Sequence, residues 1–152
     1  MLFFNELFSN KILIAAFFGW FIAQVLKTII YILVNKEFNS ERLLGDGGMP
    51  SSHSATVMAL VTSTCYYYSP ASFEFAIAGV LALIVMHDAM GVRRETGKQA
   101  IVINNMMEWF SEMGSDIPVE QKLKEFVGHT PLQVLFGALL GIVVGYTVCV
   151  AM

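Results

Sequence analysis

Gly47-Gly48-Met49-Pro50-Ser51-Ser52-His53-Ser54-Ala55 stands between a charged, polar segment and an apolar run from Thr56 to Tyr68. How this stretch is read decides the fold, because it opens the apolar run as a helix. Pro50 suits a first helical turn, where its missing N–H is no loss. The serines can cap the free N–H groups of that turn, and the glycines let the backbone approach closely. A helix start presents amide N–H groups and the positive end of the helix dipole, which together favour an oxyanion. His53 adds a group that titrates near neutrality. The combination predicts a phosphate held beside a proton donor.

The surrounding chain is built for lipid. Of 152 residues, 56% are hydrophobic and 14% charged, against about 25% charged in soluble domains. One integral-membrane domain over 1–152 is expected at this length. The net charge of -3 leaves no basic stripe for nucleic acid. Cys65 and Cys149 both fall inside apolar runs and are expected to be packing residues, with no disulfide. No cleavable signal peptide is evident, since the first apolar run is long and contains Lys27.

Four runs approach spanning length: about 11–34, 50–68, 72–92 and 130–151. The fold class expected is therefore all-α, a multi-pass transmembrane bundle of about four spans with short amphipathic interfacial helices. Residues 1–10 suit one such helix. The amphipathic connection 95–128 suits two more, broken near 114–118 and lying at the membrane surface or over the bundle. Gly137, Gly141 and Gly145, four apart, form a small-residue stripe suited to close helix packing, and a homodimer is one use for it. With four spans, Lys36, Arg42, Arg93, Arg94, Lys98, Lys122 and Lys124 share one side, while Lys11 is alone on the other. The positive-inside rule places the first side in the cytoplasm of a bacterial inner or plasma membrane.

His53, Arg93 and His129 all fall at span ends on that side, and Lys27 lies roughly two turns below it. Lys27 either snorkels to the interface or faces an anionic ligand or Asp88. Asp88 and Arg93 either neutralise each other or serve the site, and Arg93 and Arg94 could also anchor to anionic lipid. His87 points about 100° away from Asp88 on a helix and reads as structural. His53 and His129 each open a helix, beside Pro-Ser-Ser and Thr-Pro, and point to phosphoryl chemistry rather than to caps. No recognisable metal-ligand spacing such as His-Glu-x-x-His occurs, and no metal or cofactor is expected. Tyr66, Tyr67 and Tyr68 suit an interfacial aromatic belt.

Several of these pieces together resemble a known family. Pro50-Ser51-Ser52-His53 is similar to the Pro-Ser-Gly-His motif of the type 2 phosphatidic acid phosphatase superfamily, which also contains the vanadium haloperoxidases. Gly128-His129-Thr130-Pro131-Leu132-Gln133-Val134, followed by Phe136-Gly137-Ala138-Leu139-Leu140-Gly141, resembles its last motif. With Gln24-x-x-Lys27, Asp88-x-x-Gly91-Val92-Arg93 and Gly97-x-Gln99-Ala100, the match runs over roughly residues 20–145 and looks like a divergent, compact membrane branch. The resemblance implies His129 as the nucleophile, forming a phospho-histidine, and His53 as the acid that protonates the leaving alkoxide. It implies Arg93 on the phosphate oxygens, with Lys27, Ser51, Ser52 and Arg94 beside it.

The chain departs from the family pattern at stated points. Thirty-five residues separate Arg93 from His129, where the family places the two close together in sequence. Gln133 stands where the family has the Asp that orients the nucleophile, and Asp88 is the candidate to supply that charge. Ser52 replaces the motif glycine, and the first motif is incomplete. The activity expected is hydrolysis of a lipid phosphomonoester, phosphatidylglycerophosphate- or phosphatidate-like. The alternatives are a non-catalytic lipid-phosphate binder or transport component, and a haloperoxidase, the latter disfavoured because halide oxidation belongs to water-soluble relatives.

Overall fold

A computed structural model describes residues 2–37, 47–113, 122–125 and 127–152. The described residues form helices and no strands: α1 (Leu2–Phe8), α2 (Lys11–Asn35), α3 (Ser52–Tyr67), α4 (Phe73–Met90), α5 (Val92–Glu112) and α6 (Pro131–Ala151). The chain is an all-α membrane protein. α2, the α4–α5 stretch and α6 are each long and apolar enough to cross a bilayer. α3, with 16 residues, rises about 24 Å, short of a hydrocarbon core of about 30 Å. The expected count of about four spans is therefore three by length and composition plus this shorter helix, which packs against α2, α4 and α6.

Side-chain size is sorted as lipid requires. The buried positions are small, among them Ala15, Ala23, Ala55, Ala59, Ala78, Ala82 and Ala89, while Phe17, Phe21, Leu83, Ile84, Leu135 and Val143 face outward. Lipid tails give helices no hydrophobic reason to associate, so close backbone packing must hold them. Gly19 of α2 and Gly137, Gly141 and Gly145 of α6 lie against α3 so tightly that an added Cβ would overlap the carbonyls of Ser51, Ala55 or Ala59. The α6 glycine stripe is thus occupied inside one chain. It offers no free face for the homodimer expected from it.

α3 carries hydroxyls at bilayer depth, and each finds a carbonyl one turn back: Thr56 on Ser52 (2.7 Å), Thr62 on Met58 (2.8 Å), Ser63 on Ala59 (2.8 Å) and Thr64 on Leu60 (2.8 Å). No water is needed to satisfy them. The two ends of the bundle are distinct. At one, the Lys11 ammonium donates to the Met152 carbonyl and sits 5.8 Å from the Tyr67 ring centre. At the other lie the starts of α3 and α6 and the end of α4.

The 72–92 and 95–128 segments differ from expectation. α4 stops at Met90 and α5 begins at Val92, broken by Gly91 alone (φ -95°, ψ -99°). α5 then runs unbroken to Glu112, because the polar stretch after Arg93 is rich in good helix formers. The expected break near 114–118 lies outside the described residues. The chain returns along α5 as a non-helical strap. Asn104 donates to the Leu123 carbonyl and accepts from the Leu123 N–H, both at 2.9 Å, and also donates to Glu125 (2.8 Å). Gly97 leaves room for the Val127 and Glu125 carbonyls. Gly128, at φ +83°, then lies directly on the Arg93–Arg94 backbone, where a Cβ would collide.

Candidate functional site

The strap delivers His129 to the broken end of α4. The break at Gly91 frees the Ala89 carbonyl, and the His129 N–H donates to it at 2.9 Å. Thr130 then caps α6, with Pro131 in the first turn, and the Gln133 side chain accepts from the Thr130 N–H (3.0 Å) to complete a capping box. The Gln133 carbonyl accepts from the Ser51 N–H at 3.1 Å, tying the starts of α6 and α3 together.

α3 begins two residues later than the sequence suggested. Ser51 is its N-cap, and Pro50 precedes the cap instead of opening the first turn. The Ser51 hydroxyl oxygen accepts from the Ser54 N–H (3.3 Å) and from the Ser54 hydroxyl (3.0 Å) and is fully buried. It serves the helix start itself. Ser52 lies on the other side of the turn, where the Lys27 ammonium donates to its hydroxyl at 3.4 Å. Lys27 is 3% exposed, so it does not snorkel to the surface. Its stem passes 3.2 Å from where a Cβ on Gly48 would stand, and Gly48 is at φ +94°. Gly48 therefore lets the backbone close over a buried cation.

The two imidazoles meet at this point. The ring centres of His53 and His129 are 5.9 Å apart, edge to face at 64°. His129 is 1% exposed, and both its ring nitrogens are buried without a hydrogen-bond partner among the described residues. Burial, then the Lys27 charge, then His53, lower its pKa to about 4. The Gln133 side chain and Gly48 backbone lie close enough to oppose that shift, though not at hydrogen-bonding geometry. At neutral pH His129 is an uncharged base.

Arg93 and Asp88 pair with each other at 2.7 Å, both 41% exposed. Asp88 therefore pairs with Arg93. Gly128 lies on the backbone of Arg93 and Arg94, so Arg93 is a spatial neighbour of the segment carrying His129 despite the thirty-five intervening residues. Lys27, Ser52, His53 and His129 thus converge. Arg93, Arg94 and Asp88 stand at the rim, Gln133 caps α6 and Ser51 caps α3.

Beyond a small cavity of about 160 Å³ beside Lys27, Gly47 and Gly48, two larger ones adjoin this end. One, of about 380 Å³, lies between α2 and α4 over α3 and is lined by Trp20, Gln24, Ser52, His53, Thr56, Val57 and Val85. The other, of about 770 Å³, lies between α4 and α6 and reaches Asp88 but neither His53 nor His129. Among the described residues no three His, Cys, Asp or Glu side chains are grouped to hold a metal ion. Trp20, Thr56 and Asn104 were not anticipated. For Trp20 and Thr56, helical spacing from Gln24 and Ser52 was the available signal; an asparagine in the apolar stretch of α5 was the signal for Asn104.

A family model described as "Divergent PAP2 family" matches residues 8–144. The chain belongs to the divergent PAP2 family. A relative described as "Uncharacterized membrane protein YuiD", from Bacillus subtilis (strain 168), is 39% identical over 146 residues, covering 90% of this chain and 92% of the relative. No solved structure matches. Family membership and the three apolar helices make the chain an integral membrane protein related to the PAP2 phosphatases.

Proposed function

We propose that this divergent PAP2 protein hydrolyses a lipid phosphomonoester through a phospho-histidine. The observation that carries the reading is the contact of two imidazoles, 5.9 Å between centres, beside the buried Lys27. His129, uncharged at neutral pH, attacks phosphorus in line; a P–N bond forms as the P–O bond to the alcohol breaks. His53 gives its proton to the departing alkoxide, then takes one from the water that cleaves the P–N bond and releases phosphate. Lys27, the Ser52 hydroxyl and the amides at the start of α3 hold the transferring oxygens. Arg93, with Arg94 beside it, joins them by exchanging Asp88 for the phosphate. Such preorganised charge supplies most of the rate in phosphoryl transfer. Asp88 and Gln133 act through position, Asp88 on Arg93 and Gln133 on the loop that carries His129. Lys36, Arg93, Arg94 and Lys98 on the site's side support a cytoplasmic face.

A second reading, a lipid-phosphate binder without turnover, is favoured by one observation: Gln133, where a carboxylate would orient the nucleophile, is engaged in a helix cap. Phosphate release from dioctanoyl phosphatidate by the pure protein separates the two. The hydrolase reading expects turnover that falls about a thousandfold or more in His129→Ala and about a hundredfold or more in His53→Ala. Binding with no release in the wild type would select the binder.

A further inference from the structure

The cavity between α2 and α4 has a use that the hydrolytic site alone does not demand. It opens beside His53 and away from His129. Its lining is graded: Gln24, Ser52 and Thr56 are polar, while Trp20, Val57 and Val85 are apolar. Trp20 precedes Lys27 by seven residues on α2, which sets it about 10 Å deeper along the helix axis. The leaving oxygen must sit at the proton donor, so whatever carbon it carries extends past His53. The space past His53 is this cavity. The larger groove between α4 and α6 meets neither imidazole, so a substrate seated there would hold its leaving oxygen away from His53.

We propose that this cavity seats the first carbons of a single alkyl or prenyl chain of a lipid phosphomonoester, with Trp20 as the residue that limits depth and branching. The inference rests on the hydrolase reading for its orientation. A volume of about 380 Å³ is near the lower end for small-molecule pockets; it takes the part of the chain next to the phosphate and leaves the rest in the bilayer. Gln24, Ser52 and His53 among the lining residues, with the Lys27 ammonium donating to Ser52 from outside the lining, and the apolar Trp20, Val57 and Val85 match an amphiphile. A water-soluble sugar phosphate would leave Trp20, Val57 and Val85 against polar groups.

The test uses non-hydrolysable probes, so that binding is read apart from turnover. Methylphosphonate, dodecylphosphonate and the branched phytanylphosphonate are titrated against the full chain in nanodiscs. Dodecylphosphonate should bind at least tenfold more tightly than methylphosphonate. The filled variant Val57→Phe/Val85→Phe should lose at least fivefold of that advantage while holding methylphosphonate within twofold of wild type. Trp20→Ala, which deepens the cavity and keeps the phosphate end intact, should shift preference towards the branched chain at least threefold. If the filled variant no longer binds methylphosphonate, the Trp20→Ala ratio decides. No advantage for the longer chain, an advantage that survives filling, or an unchanged branched-to-linear ratio in Trp20→Ala would overturn the proposal. Dodecylphosphonate binding as expected, with dodecyl phosphate left unhydrolysed, would remove the hydrolase reading and leave the cavity assignment standing.

Discussion

Burial of His129 lowers its pKa from 6.5 to about 4, and the sign of that shift has consequences for both stability and rate. The unfolded chain takes up a proton near pH 6.5 and the folded one only near pH 4. The stability contributed by the neutral ring is present above pH 6.5 and is lost as pH falls from there towards 4. Denaturation in detergent at pH 7.5 and pH 4.5 should show the wild type losing stability, with a smaller loss in His129→Asn. The acid limb of kcat/KM should fall near pH 4 and not near 6.5, since that profile reports the free enzyme's essential base. Lys27 carries a second expectation. A cation at 3% exposure in an apolar helix is costly to desolvate, so Lys27→Met should leave the melting temperature unchanged or raise it. The same change should weaken inorganic phosphate binding tenfold or more by calorimetry. His53, His129 and Lys27 were all legible from residue type and position. Which of its two expected tasks Ser51 serves, and the capping task of Gln133, were not, because a capping hydroxyl or amide and a ligand-binding one look identical until the direction of the helix start is known.

At the scale of elements, α3 is held by backbone contact more than by side-chain bulk. Gly141 lies on the Ala55 carbonyl with no room for a Cβ. Gly141→Ala should therefore force α3 and α6 apart and destabilise by about 1–3 kcal/mol, read by detergent denaturation. Gly79, with open space around it, is the control position, and Gly79→Ala should not destabilise. The glycine stripe was visible in the sequence as a packing face, but its partner was not, because small-residue spacing is the same for an internal helix and for a second subunit. The near-continuity of α4 and α5 across Gly91 was not anticipated: Arg93 and Arg94 mark a membrane rim, yet a helix can resume directly where polarity changes. The strap depends on Asn104, which pairs both backbone groups of Leu123. Asn104→Ala should increase hydrogen exchange at the Leu123 amide and lower turnover through displacement of His129, with methylphosphonate affinity changed less than turnover.

At the scale of the whole molecule, membrane class could be read directly and the number of spans approximately, since apolar runs of spanning length have few other uses. The meeting of α3 and α6 starts followed from alternating topology. The same topology put Arg93 and His129 on one side, but the backbone contact of Gly128 with Arg93 and Arg94 had no marker in the sequence beyond Gly128 itself. The orientation is testable in cells. In a background free of Cys65 and Cys149, Ser69→Cys should react with an impermeant maleimide added outside and Lys98→Cys should not; the reverse pattern would place the site on the outer face. The account as a whole stands on phosphate reaching His129. Base-quenched protein, mixed briefly with radiolabelled dioctanoyl phosphatidate, should carry acid-labile phosphate on the peptide containing His129, and the label should disappear in His129→Asn. Turnover of the lipid with no labelled protein, or with label on a different residue, would contradict it.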